Sequence, residues 1–255
     1  MRKIKLIIQY DGGGYSGWQV QENAVTIQGL LEDALFRITG ERISVESAGR
    51  TDAGVHALGQ VAALKTSSGL DAGIFKRAIN AVLPPAVRVI EAQEVFKDFH
   101  PRYDALKKRY FYLIANHDVC SPFVVRYAWH VKRRLDTSAM SEAAGYLVGR
   151  HDFKSFCAAG SSVKTTVREV SLLKIEPTDG AEFLGMRLRG DFIRITVEAD
   201  GFLRHMVRNI AGTLVDAGRG AVSPAIMPEI LAKRDRGASG PTAPGCGLFL
   251  ERVDY

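Results

Sequence analysis

The sequence predicts an α+β fold built from two tandem ferredoxin-like halves, residues 1–103 and 104–255. Short runs in which apolar and polar residues alternate predict strands with one buried face. Between them, longer segments carry apolar residues at the spacing of a helix. In both halves the predicted elements follow the order β-α-β-β-α-β, which ferredoxin-like and RNA-recognition domains share. The second half repeats this order with longer elements but without repeating the residues of the first half.

The first strand and the two helices of the first half have recognisable ends. Alternating apolar residues predict a strand over residues 3–10. A helix follows over residues 27–38, with Thr26 as its N-cap and Gly40 as its end. A second apolar stripe predicts a helix over residues 74–82, just before two consecutive prolines.

Two further strands, one around residues 43–45 and one around residues 61–63, flank a polar loop over residues 48–57. A strand around residues 87–95 completes the first half. The elements predicted for the second half are strands over residues 109–115, 167–175, 185–197 and 248–253 and helices over residues 137–148 and 203–215. A hairpin around Gly190-Asp191 would divide the third of these strands.

Composition limits the class of function. Of the 255 residues, 46% are hydrophobic and 24% are charged, which is ordinary for a globular protein, and the net charge of +6 favours an anionic partner such as nucleic acid. The chain contains no CxxC pair, so neither a disulfide framework nor a cysteine zinc site is predicted, and its six histidines form no HExxH motif. The apolar run near Met1 is too short for a signal peptide, and no run is long enough for a membrane span, so a cytoplasmic protein is predicted.

The polar loop carries a single carboxylate, Asp52, with Arg50 and His56 as its nearest charged or titratable neighbours. A carboxylate held on a rigid turn is suited to act as a nucleophile or as an electrostatic stabiliser. The alternative is a structural turn, in which Asp52 caps backbone N–H groups and pairs with Arg50. Local chemistry by itself favours the structural turn over the catalytic carboxylate.

A glycine-rich segment, Gly12–Gly17, matches the pattern GxGxxG and follows the first predicted strand. A dinucleotide site would need a helix that opens inside the motif, whereas here the polar residues 19–26 intervene. We therefore expect a turn whose glycines allow a ligand or another loop to approach closely.

Two segments combine cations with groups that can contact RNA. Residues 99–112 interleave aromatic and basic side chains, and Tyr110 and Tyr112 share one face of a predicted strand while Phe111 lies on the other. Arg204 and Arg208 are four residues apart on a predicted helix and would share a polar face with neighbours that include Asn209. Each segment also has a structural interpretation, as core aromatics or as a solvated face. The basic clusters at residues 132–134 and 233–236 are predicted to be surface charge that could widen a phosphate track.

Taken together, these segments resemble the tRNA pseudouridine synthase A family along residues 3–255. The segments that carry the resemblance are Tyr10–Gly12, Tyr15–Gln19, Gly49–Ala57, Lys108–Tyr112, His151–Phe153, Phe202–Ile210 and Gly247–Leu248. The resemblance implies one continuous, mostly antiparallel bent sheet with helices on one side and a basic cleft at the seam of the halves. It implies an isomerase that converts uridine to pseudouridine at positions 38–40 of the anticodon arm of tRNA. It also implies a homodimer without metal or cofactor.

The resemblance further implies roles for individual residues. Asp52 would be the nucleophile, and Arg208 would pair with it. Arg50 would help to flip the target base, Tyr110 would stack on the uracil and relay a proton, and Leu248 would pack on the ring. The catalytic set is therefore Asp52, Tyr110 and Arg208, and the substrate-binding set is Arg50, His56, Tyr110, Arg204 and Leu248.

Two other classes of function compete with this interpretation. A non-catalytic RNA-binding module would explain the fold and the charge but would leave Asp52 without a purpose, since a carboxylate weakens binding to phosphates. A glycosidase-like hydrolase would need a second catalytic carboxylate about 5–9 Å away, and no motif proposes one.

Overall fold

A computed structural model of the chain describes residues 1–160, 163–183 and 186–255. These residues form two compact units: Met1–Leu106 with Phe249–Tyr255, and Lys107–Leu248. Helices and strands occur in both units, which confirms the predicted α+β class. The division into domains 1–103 and 104–255 stays a prediction, and the structure groups residues 249–255 with the first unit.

The described residues form ten strands and five α-helices, numbered in chain order. The strands are β1 (Arg2–Tyr10), β2 (Glu46–Ser47), β3 (His56–Thr66), β4 (Val87–Val95), β5 (Lys107–Ala115), β6 (Trp129–His130), β7 (Gly149–Asp152), β8 (Val167–Phe183), β9 (Met186–Ala199) and β10 (Leu248–Asp254). The helices are α1 (Ile27–Thr39), α2 (Ala72–Val82), α3 (Thr137–Gly145), α4 (Met206–Gly218) and α5 (Met227–Lys233). The sequence did not predict β6, β7 or α5.

The sheet of the first unit has the antiparallel order β4-β1-β3, and the short β2 pairs with β3 on its other side. This is the strand order of the predicted ferredoxin-like arrangement. Phe249 and Leu250 of β10 pair in parallel with His56 and Ala57 at the start of β3. The Asp52 loop therefore joins two neighbouring strands of this sheet and ends beside β10.

The sheet of the second unit has the antiparallel order β5-β9-β8-β7, and β6 pairs in parallel with the end of β5. Helix α3 packs against β8 and α4, and α4 also contacts β5. Alternate residues of β5 are buried, among them Tyr110, Tyr112 and Ile114. In the described parts of both units, no helix is long and apolar enough to cross a membrane.

The ends of α1 agree closely with the prediction. The Thr26 hydroxyl accepts the N–H of Gly29 at 3.3 Å, and Gly40 ends the helix in the left-handed conformation with φ 71°. Both signals are local, because a cap satisfies helix groups within one turn. The predicted Thr26 cap and Gly40 stop are thus confirmed.

The strand predicted around residues 43–45 is wrong in position, because only Glu46–Ser47 pair with β3. Ile43 and Val45 are buried and alternate as a strand would. However, the N–H of Val45 donates to the side chain of Glu32 on α1 at 2.9 Å. A side chain of α1, rather than a neighbouring strand, therefore satisfies this backbone group.

The predicted hairpin around Gly190-Asp191 is also wrong, since β9 continues through both residues. Gly190 has φ 146°, and a Cβ atom there would lie 2.8 Å from the His117 ring. The glycine is needed for this close approach and not for a chain reversal. Residue 185, where the strand was predicted to begin, lies outside the described residues.

Two predicted helices have different ends in the structure. Helix α3 ends at Gly145, three residues before the predicted end at residue 148. Helix α4 begins at Met206, because His205 adopts a left-handed conformation with φ 62°. Arg204 therefore precedes the helix.

Candidate active site

Asp52 lies half-buried in the loop between β2 and β3. The N–H of Val55 donates to the Asp52 carbonyl oxygen at 3.2 Å, which closes a tight turn around the carboxylate-bearing residue. Arg50 is exposed, and it forms no ion pair with any carboxylate in the described parts of the chain. The structural interpretation in which Arg50 pairs with Asp52 is therefore wrong.

A buried hydroxyl pair holds the loop from the interior of the first unit. The hydroxyl oxygens of Tyr10 and Thr51 are 2.8 Å apart, and the Gln60 amide donates to the Gly49 carbonyl at 2.8 Å. Burial raises the pKa of Tyr10 to about 12, and its hydrogen bonds to Thr51 and Gln60 oppose this shift. The Tyr10 hydroxyl thus stays neutral near pH 7 and acts as a structural hydrogen-bonding group. Sequence reasoning missed this network, because none of its members carries a charge.

Glycines of the opening segment let it lie directly against the backbone of the Asp52 loop. A Cβ atom on Gly12 would lie 2.0 Å from the Val55 carbonyl oxygen, and one on Gly17 would lie 2.6 Å from that of Thr51. The N–H of the buried Trp18 donates to the same Thr51 oxygen at 3.0 Å. The prediction that the glycine-rich turn admits another loop is confirmed, and that loop is the one that carries Asp52.

His56 lies at the start of β3 and is 1% exposed. Its Nδ1 atom lies 3.1 Å from the N–H nitrogen of Gly12 and 3.1 Å from a carboxylate oxygen of Asp11. Its ring stacks on Phe249 with centroids 4.6 Å apart. His56 thereby connects the opening segment, the Asp52 loop and β10. Its contact with substrate stays a prediction.

Tyr110 lies on β5 of the second unit, is 6% exposed and makes an edge contact with the ring of Phe202 at 5.0 Å. The Tyr112 hydroxyl donates to the Pro244 carbonyl at 2.8 Å, and burial raises the pKa of Tyr112. Phe111 lies below the Arg194 guanidinium, 4.2 Å from the ring centroid. The predicted division of these aromatics between two faces of one strand is confirmed.

Arg208 lies half-buried in the first turn of α4. Its Nε donates to the Ala243 carbonyl at 2.8 Å, and the N–H of Ala243 donates to the Arg208 carbonyl at 3.1 Å. This reciprocal pair fixes both the arginine and the loop that leads to Leu248. Arg204 is exposed and lies before α4, so the prediction that both arginines share a helical face is wrong.

Asn209 is fully buried, which corrects its predicted place on a polar outer face. Its Nδ2 donates to the Phe156 carbonyl at 2.8 Å, and its Oδ1 accepts bonds from Thr242 at 2.7 Å and from Arg236 at 3.1 Å. Arg236 was predicted to be surface charge. Its guanidinium instead donates hydrogen bonds to Asn209 and Thr242. Asparagine is an unfavourable helix residue, so its presence in a predicted helix was the available signal for a buried amide.

Leu248 begins β10 and is 5% exposed. The preceding Gly247 lies against Tyr112, because a Cβ atom there would be 2.7 Å from the ring. Farther back, a Cβ atom on Gly212 of α4 would lie 1.7 Å from the Pro241 carbonyl oxygen. Two glycines thus allow the loop before Leu248 to pack directly on α4 and β5.

The predicted site residues fall into two groups. The first unit holds Arg50, Asp52 and His56, and the second holds Tyr110, Arg204, Arg208 and Leu248. Within the described residues, no group of three or more His, Cys, Asp and Glu side chains could hold a metal ion.

The family model described as tRNA pseudouridine synthase matches residues 6–104 and 143–255. The chain belongs to the tRNA pseudouridine synthase family. The match includes the Asp52 loop, α4 and β10, whereas Tyr110 lies between the two matched segments. The predicted family is thereby confirmed.

Two relatives within the tRNA pseudouridine synthase family resemble the chain over nearly its whole length. The tRNA pseudouridine synthase A of Moorella thermoacetica is 48% identical over 99% of both chains. That of Myxococcus xanthus is 45% identical over 100% of this chain and 92% of its own. Among solved structures, an archaeal box H/ACA sRNP Nop10-Cbf5 complex matches with a TM-score of 0.33 and 16% identity, covering 84% of this chain and 44% of that one. A similarity this low adds nothing to the family assignment.

Proposed function

We propose that this chain isomerises uridine to pseudouridine in tRNA, at positions 38–40 of the anticodon arm. The observation that carries the proposal is the Asp52 carboxylate on a loop that is held by buried hydrogen bonds. The family model matches residues of both units. In the reaction the bond from N1 to C1′ breaks and a bond from C5 to C1′ forms. The hydrogen on C5 leaves to solvent, and N1 gains a proton. Oxidation state does not change, so the chemistry needs no redox cofactor.

Asp52 is the proposed nucleophile. Its carboxylate attacks C1′ or C6, or it assists elimination at the ribose, and each route needs the carboxylate in a fixed position. The Tyr10–Thr51 pair, the Gln60 bond and the close packing of Gly12 and Gly17 support this role, because together they hold the loop backbone on both sides of Asp52. His56 supports the same loop from the start of β3.

Arg50 is proposed to enter the RNA and occupy the space that the flipped base leaves. Unstacking a base costs on the order of a few kcal/mol, and a side chain that fills the gap offsets part of this cost. Arg50 is exposed and forms no ion pair with another described residue, so a move into RNA would break none. Its guanidinium can stack on bases and contact phosphates.

The second unit is proposed to supply the remaining contacts with the substrate. Tyr110 stacks on the uracil and relays a proton, Leu248 packs on the ring, Arg208 pairs with Asp52, and the exposed Arg204 contacts phosphates. Tyr110 and Leu248 are supported on their protein side by Phe202 and Gly247 respectively. We further propose that the active form is a homodimer and that it works in the cytoplasm, where its tRNA substrate is found.

Substitution of the carboxylate tests the proposal. In the Asp52→Asn variant, release of tritium from tRNA labelled at C5 of uridine should disappear, because the amide is a poor nucleophile. Binding of tRNA should stay within about twofold of the parent, because the side chain keeps its size. Asp33→Asn, which removes an exposed carboxylate from α1, is the matched control and should keep full turnover. Tritium release by Asp52→Asn at the parent rate would overturn the assignment.

A further inference from the structure

A cavity of about 470 Å³ opens on the second unit beside the end of α4. Arg133 and Arg134, from the segment between β6 and α3, line it together with Arg219, which follows α4. The other lining residues are Leu135, Asp136, Gly218 and Gly220. A concave surface with three guanidinium groups and one carboxylate is suited to an anion that carries several charges.

Two of the three arginines of this surface, Arg133 and Arg134, are not neutralised by carboxylates of the described residues. Arg133 and Arg134 are exposed, and the described chain provides neither with a carboxylate within ion-pair distance. Asp136 is occupied as the N-cap of α3, where it accepts two backbone N–H groups at 2.8 and 3.1 Å. Arg219 lies 4.0 Å from Asp216 and 5.8 Å above the Trp129 ring, which orients its guanidinium.

The backbone below the two exposed arginines is fixed by a buried amide. Asn116 is 5% exposed, and its Nδ2 donates to the carbonyls of Val131 and Arg133 at 2.7 and 2.8 Å. Its Oδ1 accepts the N–H of Leu135 at 2.9 Å. All hydrogen-bonding positions of this side chain except one lone pair are therefore used to hold a basic segment. Cations on a fixed backbone lose less entropy on binding than cations on a flexible loop.

The cavity is separate from the residues assigned to catalysis. Arg208 lies near the start of α4 and Gly218 at its end. Ten residues of helix correspond to about 15 Å. Arg208 is not among the residues that line the cavity, so the three arginines form a basic surface apart from it.

We propose that this surface is a second tRNA contact, which binds backbone phosphates away from the target uridine. The identity of the ligand rests on the proposed function. Arginine forms paired hydrogen bonds to phosphate oxygens, and several such contacts fix the register of an RNA on a protein. The contact would hold the tRNA body while the anticodon arm occupies the catalytic residues.

A different role for the same arginines makes a contrasting prediction. Cations near a helix C-terminus stabilise the partial negative charge there, and α4 ends at this cavity. If that were their whole purpose, their removal would lower the melting temperature and leave the affinity for tRNA unchanged.

The test uses the double variant Arg133→Gln/Arg134→Gln of the full chain and measures its equilibrium affinity for intact tRNA over a range of salt concentrations. Affinity at moderate salt should fall about tenfold, and the slope of log affinity against log salt should decrease by about 1.5, as expected for two lost phosphate contacts. Turnover at saturating tRNA should be unchanged. Arg37→Gln/Arg77→Gln, which removes two exposed charges from α1 and α2, is the control and should keep the parent slope.

An unchanged affinity and slope in the Arg133→Gln/Arg134→Gln variant would overturn the inference, as would an equal effect in the control. These measurements report binding, so they are independent of catalysis. If the parent protein bound tRNA but formed no pseudouridine, the proposed function would fail while the binding data still decided the role of the surface.

Discussion

The hydroxyl oxygens of Tyr10 and Thr51 lie 2.8 Å apart in the interior of the first unit, one residue before Asp52. Both side chains are buried, and the Gln60 amide lies 3.4 Å from the Tyr10 oxygen. The pair connects the end of β1 to the Asp52 loop with a bond that water does not compete for. The position of the carboxylate therefore depends on two hydroxyl groups that take no part in the proposed chemistry.

Two substitutions of Thr51 distinguish the contribution of its hydroxyl group from that of the rest of the side chain. Thr51→Val leaves the Tyr10 hydroxyl without its nearest partner, so we expect a loss of about 1–2 kcal/mol in the free energy of unfolding. It should also lower kcat more than it raises KM, since the loop would lose its fixed position. Thr51→Ser keeps the hydroxyl and should restore kcat. Urea unfolding and steady-state kinetics measure both effects, and equal kcat values for the two variants would refute the positioning role.

Gly12 and Gly14 offer a matched pair of substitutions in one short segment. Gly12→Ala places a Cβ atom 2.0 Å from the Val55 carbonyl oxygen, whereas a Cβ atom on Gly14 meets nothing within 4 Å. Overpacking against rigid backbone should cost Gly12→Ala about 3 kcal/mol or more and displace the Asp52 loop. Gly14→Ala should be neutral in melting temperature and in turnover. Comparable stability of the two variants would show that the loops are not in close contact.

Arg50→Ala tests the residue proposed to enter the RNA. The exposed side chain supports no other part of the first unit, so the melting temperature should not change. Turnover should fall by a factor of about 100 or more, because the cost of base extraction would no longer be offset, while affinity for tRNA should fall less than tenfold. Single-turnover kinetics with saturating enzyme separate the two quantities. A parent-like rate in this variant would remove Arg50 from the base-flipping step.

Glu198 of β9 should make the stability of the second unit depend on pH. Hydrogen bonds from Arg109 lower the pKa of this carboxyl below its ordinary value of 4.5, and the contacts of Ser171 and Lys107 act in the same direction. A lowered pKa in the folded state means that the carboxylate contributes stability above about pH 4.5 and loses it as the pH falls further. Glu198→Gln should therefore destabilise the protein most at neutral pH. The deficit relative to the parent should shrink in urea unfolding series carried to lower pH, and a deficit that stayed constant would contradict this account.

The sequence predicted those features whose cause lies within a few residues. Thr26 and Gly40 determine the ends of α1 through bonds inside one helical turn, and the alternation of Tyr110, Phe111 and Tyr112 follows from strand geometry alone. The recognition of Asp52 depended on a set of short segments in a fixed order, which is also a property of the sequence itself.

Features that depend on contacts distant in the chain were not predicted. The N–H of Val45 finds its acceptor on Glu32, thirteen residues earlier, so an alternating pattern did not lead to a strand there. The buried state of Asn209 depends on Phe156, Thr242 and Arg236, which no local pattern connects to it. The sequence predicts a turn at the glycine-rich segment Gly12–Gly17. That this turn packs against Val55 and Thr51 follows only from the structure.

Because β10 comes last in the chain but belongs to the first unit, that unit cannot complete its fold early in translation. Residues 249–255 belong to the unit formed by residues 1–106, where Phe249 stacks on His56 and the Tyr255 hydroxyl donates to the Pro101 carbonyl at 2.8 Å. During translation the unit that carries Asp52 is synthesised first, yet it lacks a strand beside the Asp52 loop until residues 249–255 emerge from the ribosome. Ribosome-bound intermediates would thus hold the Asp52 loop without this neighbouring strand until residues 249–255 have been made.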